Sequence, residues 1–372
     1  MTSEDLTFLH GKYYFKLSTQ LIKNIKLREE VDKAILAQFN TFLRKESSEL
    51  AIKFYFIDDI EQVFDSKKYQ NIGGYCYSSS QIKIENSEVS FVLCVEKEVP
   101  IIYFEINSNQ KLISGIRALN KGYINAVEKQ VSIFYYRVFL ILTQYINLQY
   151  NSTYIHGATI SDSKNNATLF PADSGVGKSS LLFRLSQEKD RYYVADDLSI
   201  IDNSKSFYSG RAISTKPYHL NNFTFLDDLV KATMPFAQRL QWQVSKDNRL
   251  VFGLCPKKLF SNRIKETANI NRVIHLVNTN SSNFRLRNAD AHELALASTN
   301  ILMNEMFLGL FNIYKALSIP SNTMLKSPID MGEIVKKQYV ELFQSAECFI
   351  LEVPYMSHPE LMYSYLKKHD LI

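Results

Sequence analysis

The segment Ala167-Thr-Leu-Phe-Pro-Ala-Asp-Ser-Gly-Val-Gly-Lys-Ser-Ser-Leu-Leu-Phe-Arg-Leu185 places an apolar run, a glycine-containing loop and an amphipathic run in immediate succession. Residues 172–179 fit the pattern G-x-x-x-x-G-K-[ST] at every fixed position but the first, where Ala172 stands for glycine. Residues 167–170 have strand character and residues 180–185 have helical spacing, so a strand, a loop and a helix are expected in that order. Such a loop suits a polyphosphate. Gly175 and Gly177 permit backbone conformations that turn successive N–H groups inward, and the start of the helix adds the positive end of its dipole. Lys178 supplies a point charge for the outer phosphates, and Ser179 an oxygen for Mg²⁺, a hard cation that prefers oxygen ligands. Asp173, Ser174, Gly175, Val176, Gly177, Lys178, Ser179 and Ser180 are therefore the candidate nucleotide-binding residues, with ATP and Mg²⁺ as the expected cofactors. Ala172 is tolerable provided that its position needs no positive φ.

Further along, Tyr192-Tyr-Val-Ala-Asp-Asp197 ends a short apolar strand with two adjacent carboxylates, one helix beyond Lys178. Neighbours on an extended strand point to opposite faces, but where a strand ends and turns, both can converge on one metal-phosphate site. Asp196 or Asp197 can then hold Mg²⁺ while the other takes the proton of an attacking hydroxyl. Upstream, Tyr154-Ile-His-Gly-Ala158 lies on a strand expected to run antiparallel to the one entering the loop, which can bring His156 near the γ phosphate. Taken alone, His156 reads as a structural hydrogen-bonding residue, and the Asp pair as a solvated turn. Downstream, Arg211 and Lys216 in Ser209-Gly-Arg-Ala-Ile-Ser-Thr-Lys-Pro217 could neutralise charge on a transferred phosphoryl, bind an anionic substrate, or serve as surface cations.

Together, His156-Gly157, the loop 172–179 and Val194-Ala-Asp-Asp197 resemble, in order and close spacing, the kinase domain of the HPr kinase/phosphorylase family. A phosphate loop followed so soon by Ala-Asp-Asp separates that family from ordinary P-loop NTPases, whose metal carboxylate comes much later. The resemblance covers residues 154–216 and extends by size and pattern toward the C-terminus. It implies an α/β (mixed α+β) protein: a C-terminal P-loop kinase domain of HPr kinase and phosphoenolpyruvate carboxykinase-like architecture, with a smaller α/β N-terminal domain. It implies Lys178 and Ser179 on the phosphates and metal, Asp197 as the catalytic base, Asp196 as metal ligand or base partner, and His156 assisting near the transferred phosphoryl. Three departures stand out. Ala172 replaces glycine, Ser180 stands where the family's HPr kinases carry a metal-binding Glu, and the glycine-rich signature tied to dephosphorylation is not found. The Ser180 departure bears on a second metal position and on the reverse, phosphorylase, activity. The broader set of HPr-kinase-like proteins, including peptide-modifying serine kinases, is the closer likeness.

The remainder of the 372 residues frames this segment, and a chain of this length is expected to hold two or three domains. The division is expected at 122/123, giving a mixed α/β domain over 1–122 for substrate or partner docking and the kinase-like domain over 123–372. Within the first, a helix is expected over 29–44, strands over 52–57, 81–84, 89–95 and 101–106, and a turn at 71–74. Residues 124–150 read as a helix leading into the second domain, with Val127, Val131, Phe134, Val138, Ile141 and Tyr145 on one apolar face. Arg137 and Gln144 interrupt it, so it is expected to be a core helix and not a membrane span. A core strand over 270–277 and a helix over 289–306, capped by Asn288 or Asp290, follow. His275, His292, Asp227 and Asp228 are read as structural.

Composition narrows the partners. Lys plus Arg (43) exceed Asp plus Glu (38) without any block of like charge, which argues against a nucleic-acid binder; the nearest cluster, Lys257, Lys258, Arg263 and Lys265, reads as a solvated face. Four scattered cysteines make no metal spacing, and the N-terminus is acidic where a secretory signal is basic, so a cytoplasmic setting is expected. The 24 Phe and 22 Tyr carry no reading of their own. The expected activity is an ATP- and Mg²⁺-dependent kinase transferring the γ-phosphoryl to a hydroxyl, foremost serine of a protein or peptide, with no nucleic-acid or membrane partner and self-association into a homo-oligomer left open. The alternatives are a nucleotide-binding regulatory module without transfer, and a small-molecule kinase.

Overall fold

A hairpin opens the N-terminal part: Leu6–His10 pairs antiparallel with Tyr13–Ser18 around Gly11, whose φ of 61° suits the tight turn. The computed structural model describes residues 5–47, 49–64, 70–72, 75–77, 81–96, 99–106, 125–245, 250–314 and 327–372. The protein is mixed α/β, with several sheets and helices, and forms two compact units: Met1–Tyr150 with Glu305–Met331, and Asn151–Asn304 with Gly332–Ile372. The expected boundary at 122/123 lies outside the described residues, as do Gly73 and Gly74 of the expected turn at 71–74.

In the first unit the strands Tyr13–Ser18, Ile52–Ile57 and Val99–Glu105 run parallel, side by side, and antiparallel strands extend the sheet on both edges. The helix expected over 29–44 is Ile25–Gln38 instead. It starts early because the Asn24 side chain accepts from Leu27 N–H, and Leu43–Arg44 leaves it to pair with Phe8 and Leu9. The helix expected over 124–150 is helical from Ala126 to Gln149, with a π-type segment at Tyr135–Phe139. It belongs to this unit and does not lead the next one. The reason lies in its aromatic residues: Phe134 packs on Phe54, Phe56 and Phe104, and Phe139 on Phe15, Phe39 and Phe42. Even Gln144 is buried. The phenylalanines set aside in the composition are thus the core of this unit, each pair adding edge-to-face contact to its burial.

The second unit is organised around the strand Thr153–Ser161. One edge pairs antiparallel with Asn166–Pro171; the other pairs with two segments in succession, Tyr192–Ala195 and Leu198–Ile201. The latter turns at Asp202, whose carboxylate accepts from Ser204 and Lys205 N–H, into Lys205–Phe207. Lys205–Phe207 pairs with the long strand Thr267–Thr279, which in turn lies parallel to Asn166–Pro171, so the pairing closes on itself. Glu347–Pro354 adds a third parallel strand beyond Thr267–Thr279, and Arg285–Asn288 an antiparallel edge. Three strands therefore deliver their C-terminal ends to one side, where ligands of parallel sheets lie. The strand expected over 270–277 runs further at both ends, and the helix expected over 289–306 is Ala291–Tyr314, with Asp290 accepting from His292 and Glu293 N–H.

The helix after the loop, Lys178–Leu185, is held at its far end by Arg263. That guanidinium donates to the carbonyls of Ser186 (2.6 Å), Arg191 (2.8 Å) and Glu188, satisfying acceptors that the helix end leaves open. Lys265 donates to Ser163 O and lies over the Tyr192 ring. Half of the basic cluster read as a solvated face is therefore structural.

Candidate functional site

The loop-entry strand Asn166–Pro171 hands the chain to Ala172, which is fully buried and still in sheet register: its N–H donates to His156 O (3.2 Å) and it bridges Leu276. Ala172 is not among the residues of positive φ, so a Cβ is accommodated where the pattern has glycine. Gly175 (φ 85°) and Gly177 (φ 109°) do take the left-handed region, Gly177 as the residue that begins the helix Lys178–Leu185. A Cβ at Gly175 would meet nothing within 4 Å, so its requirement is backbone conformation and not space. The nearly buried Lys178 side chain folds back over the loop, donating to the carbonyls of Ala172 (2.9 Å) and Asp173 (2.8 Å). Asp173 Oδ1 accepts from Ser174 N–H, while Val176 and Ser180 turn inward and are buried.

Asp196 and Asp197 follow the end of the strand Tyr192–Ala195, as expected, and fill the break before Leu198–Ile201 takes up the same edge of Thr153–Ser161. Thr159 faces Ala195 and His156 faces Leu198, and between them Asp197 takes φ 67° while its carbonyl accepts from Gly157 N–H (3.0 Å). Aspartate tolerates this region better than bulkier residues, and the kink sends the two carboxylates to separate tasks. Asp196 is fully buried and accepts from Ser179 Oγ (3.1 Å). Asp197 is 35% exposed and carries two partners: Arg211 Nη2 at 2.6 Å and His156 Nε2 at 3.1 Å.

The electrostatics separate the pair as well. Burial, then the neighbouring Asp197, pushes the Asp196 carboxyl up to about 6, against the pull of Lys178, Ser179 and Arg211. Burial would raise Asp197 too, but the Arg211 charge and the His156 hydrogen bond overcome it and hold Asp197 well below the usual carboxylate range. Asp197 is thus a firmly ionised acceptor, and Asp196 a buried carboxylate whose charge wants a cation.

The structure brings together His156, Lys178, Ser179, Asp196, Asp197 and Arg211. Among the described residues Lys216 makes no ion pair with this group; its backbone N–H donates to His219 Nδ1 at the start of the helix Pro217–Asn222. One residue that supports this cluster escaped the sequence reading. Tyr193, fully buried, donates from its hydroxyl to the Arg211 carbonyl (3.2 Å) and so steadies the arginine; no motif marks it. His275, read as structural, is buried on the strand beside the loop. Burial and then the charge of Lys178 push its imidazole down to about 4, keeping it neutral at physiological pH.

Gly157 explains how closely these strands approach. A Cβ there would stand 2.9 Å from Phe170 O and 3.1 Å from Pro171 Cα, both backbone atoms that cannot swing aside. Gly157→Ala is therefore expected to destabilise the protein by about 1–3 kcal/mol and to spread His156 from the loop, read as a lowered denaturation midpoint together with weakened nucleotide binding.

No family model and no curated protein matches the chain. Among solved structures, the chain is similar to the Hpr(Ser) kinase/phosphatase from Coxiella burnetii over 59% of its own length and 97% of that chain, at 11% identity and a TM-score of 0.28. At these values the likeness is remote.

Proposed function

We propose that this protein is an ATP- and Mg²⁺-dependent kinase that transfers the γ-phosphoryl of the nucleotide to a hydroxyl, foremost serine of a protein or peptide. The observation that carries the proposal is the convergence on one loop end of a lysine, a Ser–carboxylate pair and an ionised Asp held by Arg and His. Polyphosphate oxygens would replace the two carbonyls as partners of Lys178, with loop N–H groups and the helix start behind them.

Mg²⁺ fits the donor set: Ser179 Oγ and the Asp196 carboxylate are hard oxygens 3.1 Å apart, and burial opposes the Asp196 charge until a cation compensates it. When bound there, the ion supplies charge neutralisation on the transferring phosphoryl group. The chain's own residues do the rest. Asp197 orients the acceptor hydroxyl, whose oxygen forms the new bond to γ-phosphorus as the bond to the β–γ bridging oxygen breaks and ADP departs. The hydroxyl proton passes late to Asp197 and then to water, as a loose transition state requires of a weak base. Arg211 and His156 would keep Asp197 ionised, and the Arg211 guanidinium would add positive charge for the phosphoryl oxygens.

One observation favours a second reading, a module that holds nucleotide without transferring it: Asp197 is already engaged by both Arg211 and His156. Incubation with γ-labelled ATP and a cell lysate, with and without Mg²⁺, separates the readings. Label is expected in a protein band, only with Mg²⁺. Label confined to a small molecule would make the enzyme a small-molecule kinase, and label nowhere would favour the non-transferring module.

A further inference from the structure

We propose that the turn 354–357, at the end of the strand Glu347–Pro354, receives the planar aromatic base of the donor nucleotide. This rests on the phosphate-loop reading above, which fixes where the other end of that nucleotide lies. One flank of the loop is crowded with charge: His156, Asp196, Asp197 and Arg211 all stand on the side of Thr153–Ser161. A flat, largely apolar base finds no complement there. The other flank is formed by Thr267–Thr279 and Glu347–Pro354, parallel to the loop-entry strand and ending on the same side.

The turn is tied to the loop through the helix that follows it, Pro359–Lys368. Met362 Cε lies 3.4 Å from the position a Cβ would take at Gly177, so the first turn of that helix rests on the loop itself. Glu360 pairs with Arg184 of the helix Lys178–Leu185 at 2.6 Å, and the Arg184 guanidinium stacks on Tyr363 at 3.7 Å. The turn stands immediately before these contacts and is itself well fixed. Tyr355 N–H donates to Thr279 O and Ser357 N–H to Pro354 O, each at 3.0 Å.

What this rigid turn displays is chemically unusual. Met356 holds φ 57° at the third position, a conformation that glycine adopts without steric cost and methionine does not. Tyr355 is 67% exposed and Met356 86% exposed, with Leu361 exposed nearby. An aromatic ring and a thioether on adjacent residues, both mostly exposed, bury little apolar surface for the fold. Both stack well on a π-face, the ring by offset stacking and the sulfur by its polarisability. A base contacted this way is gripped through its face and not read along its edges.

The test compares two ligands of the full chain by titration calorimetry in Mg²⁺: ATP, and inorganic tripolyphosphate, which carries the phosphates without the nucleoside. The unaltered protein is expected to bind ATP more tightly. Tyr355→Ala and Met356→Gly should each weaken ATP at least about fivefold and leave tripolyphosphate unchanged. Met356→Gly should also melt no earlier than the unaltered protein, because glycine relieves the left-handed strain, which separates lost stacking from misfolding. Equal affinity of the unaltered protein for both ligands would overturn the base site, as would ATP affinity untouched by either variant or a parallel loss for both ligands. Failure of the unaltered protein to bind either ligand would instead sink the phosphate-loop reading, and the base site with it.

Discussion

Replacing Lys178 by Ala is expected to abolish measurable phosphoryl transfer, a loss of about 10³-fold or more, and to weaken nucleotide binding sharply. The nearly buried ammonium donates to two loop carbonyls, poised in the position where a polyphosphate would compete for it. Removing a charge aimed at developing negative charge in a water-poor site costs at least as much as losing one oxyanion donor. The effect on folding should be smaller, about 1–2 kcal/mol for the two hydrogen bonds. Lys178 also lowers the Asp196 carboxyl, so its loss should leave Asp196 harder to ionise and the metal position weaker. Transfer from labelled ATP, measured beside a denaturation curve for the same variant, separates the catalytic effect from the structural one. A variant that retained transfer within tenfold would contradict the role given to the lysine.

Asp197→Asn should lower transfer by about 10²–10⁴-fold while leaving ATP affinity within a few-fold. The amide keeps the size of the carboxylate and can still accept from Arg211 or His156, but it can neither take a proton nor balance the guanidinium. Losing one partner of a fully buried ion pair costs about 3–5 kcal/mol, whereas exposed pairs contribute about 0–1 kcal/mol. With Arg211 nearly buried and Asp197 35% exposed, the stability loss should fall between, near 1–2 kcal/mol. Full activity in this variant would remove Asp197 from the reaction and leave its bond to Arg211 a structural one.

These expectations start from residues whose meaning is local. The loop 172–179 is legible because phosphate chemistry demands glycines, a lysine and a hydroxyl at fixed spacing within one turn of chain. His156 could be placed because its strand was expected to run antiparallel to the one entering the loop, as the pairing of Gly157 with Pro171 shows. The carboxylates were visible as residues but not as geometry. Whether Asp196 and Asp197 end a strand or interrupt one depends on Leu198–Ile201 rejoining the same edge, a pairing with residues some forty positions away. Arg211 offered equal grounds for a surface or a site reading, since nothing nearby in sequence reveals that Asp197 will face it.

The first unit was the least legible. Its alternating segments gave several strands correctly, but the N-terminal hairpin and the parallel pairing of Tyr13–Ser18 with Ile52–Ile57 depend on contacts distant in sequence. The amphipathic helix around Phe134 and Phe139 announced an apolar face without saying which sheet would cover it. Arg263 shows the same limit on the surface: a cation in a basic run is read as solvated until three carbonyls are found around it. Tyr355 and Met356 are apolar letters beside a proline, and only their exposure makes them informative.

The central claim is that the loop 172–179, with Ser179 and Asp196, holds a nucleoside triphosphate with Mg²⁺. The most direct measurement is equilibrium binding of ATP to the unaltered full chain and to Lys178→Ala, each with Mg²⁺ and with a chelator in its place. The account predicts saturable binding by the unaltered chain that strengthens with Mg²⁺ and collapses in the variant. Binding indifferent to both Mg²⁺ and Lys178, or no binding at all, would contradict it.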